Sequence, residues 1–352
     1  MLNRFSGLIK QKSKTSSEES PRCWQELENS YIMISKKKKF LDNVRSNNMR
    51  TNLSDDKKMP STLARIKFKI RNNQFIYRYI LNHKFRVSKH ILIKNDKLDK
   101  IVSELFECGI SVRKIEDVIG QVRGLDILEK SLTWVKSNER YLEQDKIKKF
   151  LWTYFPTESS RKLDLFNPIT VFYLSPEILY VAGKYLGYIP QLNELVIQKT
   201  TIAGSKDAIQ SQKWHRDPQE MRTFKVFLYL SDVNEDSGPF IYIKGSSPTS
   251  KGKLSKLFPQ IKPKGSYPDA SVIEKLLSQE DLFTATASSG TVIFCDTAGI
   301  HKGGFAKSGE RIMATGFFPS FKYTAGRKFK LEDSTVEINS HLDPLAKKVL
   351  LG

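Results

Sequence analysis

A chain of 352 residues, 39% hydrophobic and 11% aromatic, carries enough apolar material for one large domain or two moderate ones, which excludes a protein disordered throughout. Its three cysteines, Cys23, Cys108 and Cys295, are far apart and form no CxxC pair, which argues against a zinc or redox dithiol site, and no apolar run of about eighteen residues marks a membrane span. The net charge of +20 is concentrated: residues 1–100 hold 24 Lys and Arg against 9 Asp and Glu.

Residues 1–60 are polar and rich in Ser, Lys and Asn, and are expected to form a basic, disordered arm. Such an arm could meet nucleic acid, an anionic membrane surface or an acidic partner, but it lacks the spaced aromatic and Arg residues of a stacking platform and reads better as a solvated tail. The amino terminus has neither a long apolar segment nor a small-residue cleavage site, so a cytoplasmic location is expected. From Ser61 to Lys84 the apolar spacing is helical, with enough β-branched and aromatic residues to leave a strand open.

Between Lys97 and Gly109 the spacing of Leu98, Ile101, Val102, Leu105 and Phe106 predicts an amphipathic helix stopped by the glycine. Further helices are expected over 139–154 and over 175–187, where Ser175 can cap and Pro176 suits the first turn. After Pro190 short β-rich runs follow one another: ELVIQKT, AIQSQKWH, RTFKVFLYL, FIYIKG, LFTATA, TVIFCDT and RIMATGFFP. Their spacing predicts an antiparallel sandwich or barrel. The stretch 246–281, too long for a hairpin turn, is expected to be an insertion that covers the barrel mouth.

Two His-x-Asp triplets occur, WHRDP at 214–218 and HLDP at 341–344. Side chains at i and i+2 of a strand share a face, so His215 and Asp217 at the end of AIQSQKWH could offer two ligands to one metal. His341 follows no strand, lies near the end of the chain and is assigned to a surface turn. His301, just after TVIFCDT, supplies a third ligand for the first triplet. Two imidazoles and one carboxylate leave open positions and suit non-haem iron(II). Arg311, which opens RIMATGFFP, could clamp the far carboxylate of a dicarboxylate co-substrate.

The order WHRDP, KVFLYLSDV, SGPFIYIKGSS, GTVIFCDTAGIHKGG and a terminal Arg resembles the phytanoyl-CoA dioxygenase family, over roughly residues 95–325. The resemblance implies a mainly β protein with flanking helices on a double-stranded β-helix (jelly-roll, cupin-like) core, and an iron(II)/2-oxoglutarate-dependent dioxygenase activity. It implies His215, Asp217 and His301 as metal ligands and Arg311 as the 2-oxoglutarate arginine. The chain departs from the family at HKGGFAKSGER, where Phe305 stands near an expected Asn and Ser308 is the sole hydroxyl.

Along TFKVFLYL, Lys225, Phe227 and Tyr229 alternate with Phe224, Val226 and Leu228. If the first set faces the cavity, Lys225 could assist an anion and Phe227 could wall the co-substrate; otherwise Lys225 is an outward, solvated lysine. Trp214 and Cys295 read as packing residues, and Asp296 as a hydrogen-bonding or strand-end residue. The expected organisation is the arm 1–60, a mainly helical part 61–190, a catalytic core 191–325 with the insertion 246–281, and a tail 326–352. Hydroxylation of a small organic substrate, with an anionic substrate among the candidates, is the leading reading. A nucleic-acid oxidative demethylase that uses the basic arm and a non-catalytic jelly-roll binding protein are the alternatives, and a halogenase is disfavoured because Asp217 fills the position a halide would need.

Overall fold

Residues 95–145, 151–154, 162–202, 210–217, 220–251, 278–319, 329–331 and 343–351, with a few single positions such as Ile273, are described in the structure, a computed structural model. The basic arm, nearly all of 61–84, His341 and most of the insertion lie outside the described residues.

Helix α1 (Asp96–Cys108) begins where the Asn95 side chain accepts a hydrogen bond from the Leu98 amide, and ends at Gly109, whose φ of 78° is open to glycine at little cost. It buries Leu98, Ile101, Val102 and Leu105, the predicted stripe. Strand β1 (Ile110–Lys114) follows, then helices α2 (Ile115–Ile119) and α3 (Gln121–Asn138). The long helix α3 was not anticipated, although Gly124, Ile127, Ser131 and Val135 give it a buried face at helical spacing. A Cβ on Gly124 would lie 2.9 Å from the Glu116 Cα, so a glycine is needed for α3 to cross α2.

The helix expected over 139–154 is not formed. A single 3-10 turn, Glu139–Tyr141, is followed by the antiparallel pair β2 (Glu143–Gln144) and β3 (Leu151–Tyr154). The aromatic and β-branched run LWTY finds hydrogen-bond partners along the sheet edge, which outweighs a weak helical period. Strand β4 (Lys162–Leu163) precedes α4 (Pro168–Tyr173) and α5 (Pro176–Leu186). Helix α5 matches expectation, with Pro176 in the first turn and Gly187 at φ 82°, but the Ser175 side chain makes no cap hydrogen bond.

The remaining strands are β5 (Glu194–Thr200), β6 (Phe224–Tyr229), β7 (Phe240–Ile243), β8 (Leu282–Thr284), β9 (Thr291–Asp296), β10 (His301–Gly303) and β11 (Arg311–Phe318). Strand β12 (Lys330–Leu331) pairs in parallel with β4, and α6 (Pro344–Leu351) ends the described chain. Of the run AIQSQKWH, Ala208 and Ile209 lie outside the described residues; the described part does not form the expected strand, since Gln210–Gln212 is a 3-10 turn and His215 makes an isolated bridge to His301.

A seven-stranded sheet has the order β1-β9-β6-β11-β5-β3-β2, and a three-stranded sheet the order β10-β7-β8. The chain winds between them: β5 and β6 in the large sheet with the His215 bridge between, β7 and β8 in the small one, then β9, β10 and β11 alternately. This is a double-stranded β-helix, a jelly-roll core with flanking helices, as expected. Between the sheets lie Phe227, Tyr229, Ile293, Cys295 and Met313 against Phe240, Tyr242 and Ala285. The other face of the large sheet, with Phe224, Val226, Leu228, Val292, Phe294 and Phe318, packs on α1, α4 and α5. Strands β1 to β3 extend the sheet at both edges, so the segment before Pro190 supplies strands as well as helices.

Candidate metal centre

Two of the predicted ligands, His215 and His301, are brought together by backbone pairing. The His215 amide donates to the His301 carbonyl and the His301 amide to the His215 carbonyl, each at 2.9 Å. The two rings therefore lie side by side with centroids 4.2 Å apart. Two residues on, the Asp217 amide donates to the Thr297 carbonyl at 2.9 Å, which fixes the carboxylate over both rings. His215 Nε2 is 3.9 Å from Asp217 Oδ1, and His301 Nε2 is 3.9 Å from Asp217 Oδ2. One ligand atom from each residue lies within 4.8 Å of the others, a spacing that could hold a metal ion.

Ring orientation supports that use. His215 Nδ1 lies 2.8 Å from the Lys213 carbonyl, and His301 Nδ1 lies 3.0 Å from the Gly299 carbonyl. A carbonyl only accepts, so each Nδ1 carries the proton and each Nε2 turns its lone pair towards the shared point. His301 is held neutral, its pKa pushed down to about 3 by burial and then by His215, against the opposing pull of Asp217. Burial alone would raise the Asp217 pKa, but Lys225 first and then the two imidazoles hold it well below the usual carboxylate range. The Lys225 ammonium donates to Asp217 Oδ2 at 2.7 Å, so the lysine of the alternating run points inward to the centre.

Arg311 opens β11, which is paired on one side to β5 and on the other to β6. Its side chain is buried; one Nη donates to the Gly238 carbonyl and the other lies 3.3 Å from Thr200 Oγ1. Its Nε has no hydrogen-bond partner. No carboxylate among the described residues pairs with it, while neighbouring Glu310 is taken by Lys199 at 2.8 Å. Burial lowers its pKa against the influence of Tyr229, yet a guanidinium stays charged in proteins. An unpaired buried cation is costly, so this pocket is suited to an anion. Gly303 leaves room beside it, since even an added Cβ would stay 4.0 Å from Arg311 Nη2.

The Phe227 and Phe240 rings pack tilted with centroids 5.0 Å apart, and Phe240 lies 5.5 Å from the His301 ring, forming an apolar wall beside the centre. Trp214 faces away from the ligands into a cluster with Ile243, Ile300 and Ile273. Ile273, the one buried hydrophobic residue described inside the insertion, therefore sits behind the small sheet. Arg216, between the two ligands of the triplet, donates to the Ser246 carbonyl at 2.7 Å and the Ala298 carbonyl at 2.5 Å. Asp296 accepts from the Thr223 and Ala298 amides and from the Tyr185 and Ser247 hydroxyls. Asp296 thus acts at the strand end, closing the turn after β9, and makes no hydrogen bond to a ligand side chain among those described. Thr200, Gly238 and Arg216 carried no sequence signal, because strand register and loop closure bring them to the site.

No family model matches the chain, and no curated protein matches it. Among solved structures it is similar to the non-heme alpha-ketoglutarate-dependent epimerase SnoN from nogalamycin biosynthesis, at 13% identity and a TM-score of 0.47, covering 63% of this chain and 80% of that one. It is similar to EctD from S. alaskensis with bound Fe, at 14% identity and a TM-score of 0.46, covering 70% and 85%. HygX from Streptomyces hygroscopicus with nickel, 2-oxoglutarate and hygromycin B bound gives 16% identity and a TM-score of 0.41, covering 65% and 88%. TM-scores below 0.5 leave the case to the chain's own residues.

Proposed function

We propose that this chain is an iron(II)/2-oxoglutarate-dependent dioxygenase of the phytanoyl-CoA dioxygenase kind, hydroxylating a small organic substrate in the cytoplasm. The observation that carries this reading is the pairing of two features, a two-histidine, one-carboxylate centre and, beside Gly303 two residues on from His301, a buried arginine that no carboxylate neutralises among the described residues. His215, Asp217 and His301 would hold the metal, and iron with 2-oxoglutarate and dioxygen supplies the oxidising power as the co-substrate becomes succinate and CO₂. The donor set fits iron(II): two imidazoles whose Nδ1 atoms are held by backbone carbonyls, leaving Nε2 for a metal, and one ionised carboxylate.

The chain's own contribution is binding, orientation and exclusion of water. Backbone carbonyls of Lys213 and Gly299 hold the two imidazole N–H groups and so keep the rings in the ligating tautomer. Arg311 would take the distal carboxylate of 2-oxoglutarate as a bidentate fork, with Thr200 beside it. Phe227 and Phe240 would wall the co-substrate and keep water from the reacting end.

The test is anaerobic addition of iron(II) and 2-oxoglutarate, followed by oxygen and an assay for succinate. A charge-transfer band in the anaerobic sample and succinate on oxygenation are expected from wild type, and neither from His215→Ala or Asp217→Ala. Equal succinate from both variants and wild type would rule this function out.

A further inference from the structure

Lys225 stands apart from the rest of the centre. On the inner face of β6 its Cα pairs with Phe317 of β11 and with Cys295 of β9. Arg311 is six residues from Phe317 along β11, so the two basic residues are rooted at opposite ends of the inner face, about 20 Å apart along the strand. Lys225 is therefore not a second clamp on the carboxylate that Arg311 would hold. Its ammonium instead donates to Asp217 Oδ2 at 2.7 Å, the oxygen that also lies 3.9 Å from His301 Nε2. The Phe317 ring lies 5.7 Å away, and Glu194, exposed at the rim, is the other acid within electrostatic reach.

We propose that Lys225 shifts binding strength from the metal to the co-substrate, weakening capture of the bare metal and strengthening capture of the anionic co-substrate on the loaded centre. This rests on the function proposed above. A divalent cation that enters alone meets a positive charge hydrogen-bonded to its single anionic ligand, and in a mostly buried site that repulsion is little screened by solvent. Once the metal is in place, the same ammonium attracts the negative charge that 2-oxoglutarate brings. Binding strength is thereby moved from the first step to the second.

Lys225→Met and Lys225→Arg in the full chain test this by calorimetric titration of manganese(II), and then of 2-oxoglutarate into manganese-loaded protein. Removing the charge in Lys225→Met should tighten manganese binding by about tenfold or more and weaken 2-oxoglutarate by a similar factor. Lys225→Arg, which keeps the charge, should hold both constants within about threefold of wild type. Opposite shifts in one variant are not expected from a merely structural strut, whose loss weakens both ligands together. Parallel weakening in Lys225→Met, or no change in manganese affinity, would overturn the inference while leaving the parent function standing. Absence of manganese binding in wild type, or equal binding by His215→Ala, would sink the parent function and this inference with it.

Discussion

At the residue scale, Arg311 and His301 carry the sharpest consequences. Among the described residues no carboxylate pairs with the Arg311 guanidinium, and a buried cation left so costs the folded protein energy until an anion arrives. Arg311→Gln should therefore leave the thermal midpoint of the ligand-free protein unchanged or raised, while weakening 2-oxoglutarate by about 1.5–3 kcal/mol. Arg311→Lys should lie between, because it keeps the charge and loses the fork. Titration of the charge-transfer band together with thermal melts checks both, and equal co-substrate affinity in all three proteins would move the carboxylate site elsewhere. His301 titrates near 6.5 when unfolded and near 3 when folded. Between those values the unfolded chain holds more protons, so metal-free stability is intact above about pH 6.5 and falls as pH drops towards 3, by at most about 1.4 kcal/mol per unit. Urea midpoints across that range should show the slope in wild type and lose it in His301→Gln. These residues were legible in sequence because their chemistry is rare: few histidines, one carboxylate two positions on, and an arginine opening a strand.

At the scale of elements, legibility followed the strength of the period. Helix α1 was visible because five apolar residues and a terminal glycine agree. Helix α3 was missed because its buried face is built from Gly124 and Ser131 as much as from Ile127 and Val135. The stretch 139–154 was misread because LWTY suits either period and its partner strand β5 is distant in sequence. Strand β10, only three residues long, is defined by pairing to β7 and not by any local pattern. The turn that joins β9 to β10 depends on Asp296, whose two oxygens accept four hydrogen bonds from Thr223, Ala298, Tyr185 and Ser247. Asp296→Ala would strand two amides and two hydroxyls in the core, and should cost about 2–5 kcal/mol. Equilibrium unfolding measures it; a loss under about 1 kcal/mol would mean that water replaces the carboxylate.

At the scale of the whole molecule, the sequence divides into a basic amino-terminal third and a nearly balanced remainder, and the described site belongs wholly to the unit Pro60–Gly352. The shift to β-rich texture after Pro190 announced the core, but the sheet also recruits β1, β2 and β3 from the helical part, since an edge strand gains its partners only when the chain folds back. Most of the expected insertion 246–281 lies outside the described residues; within it, nothing local could show that Ile273 packs with Trp214. Deleting residues 1–59 should leave manganese and 2-oxoglutarate affinities within about twofold of wild type. If the arm instead serves a nucleic-acid substrate, the intact chain will bind single-stranded DNA or RNA with a steep salt dependence that the deletion removes.

The reciprocal backbone pairing of His215 and His301 gives the centre a reporter of its own. Each of these amides is closed by the other's carbonyl, so the same local opening exposes both protons to deuterium, and they should exchange at a common rate. A bound metal needs both rings in place and cannot remain through that opening. Adding manganese should therefore slow both amides by the same factor, near 100 when the metal stands at about one hundred times its dissociation constant. Mass spectrometry of peptides spanning each histidine would then read metal occupancy in protein that turns over no substrate at all.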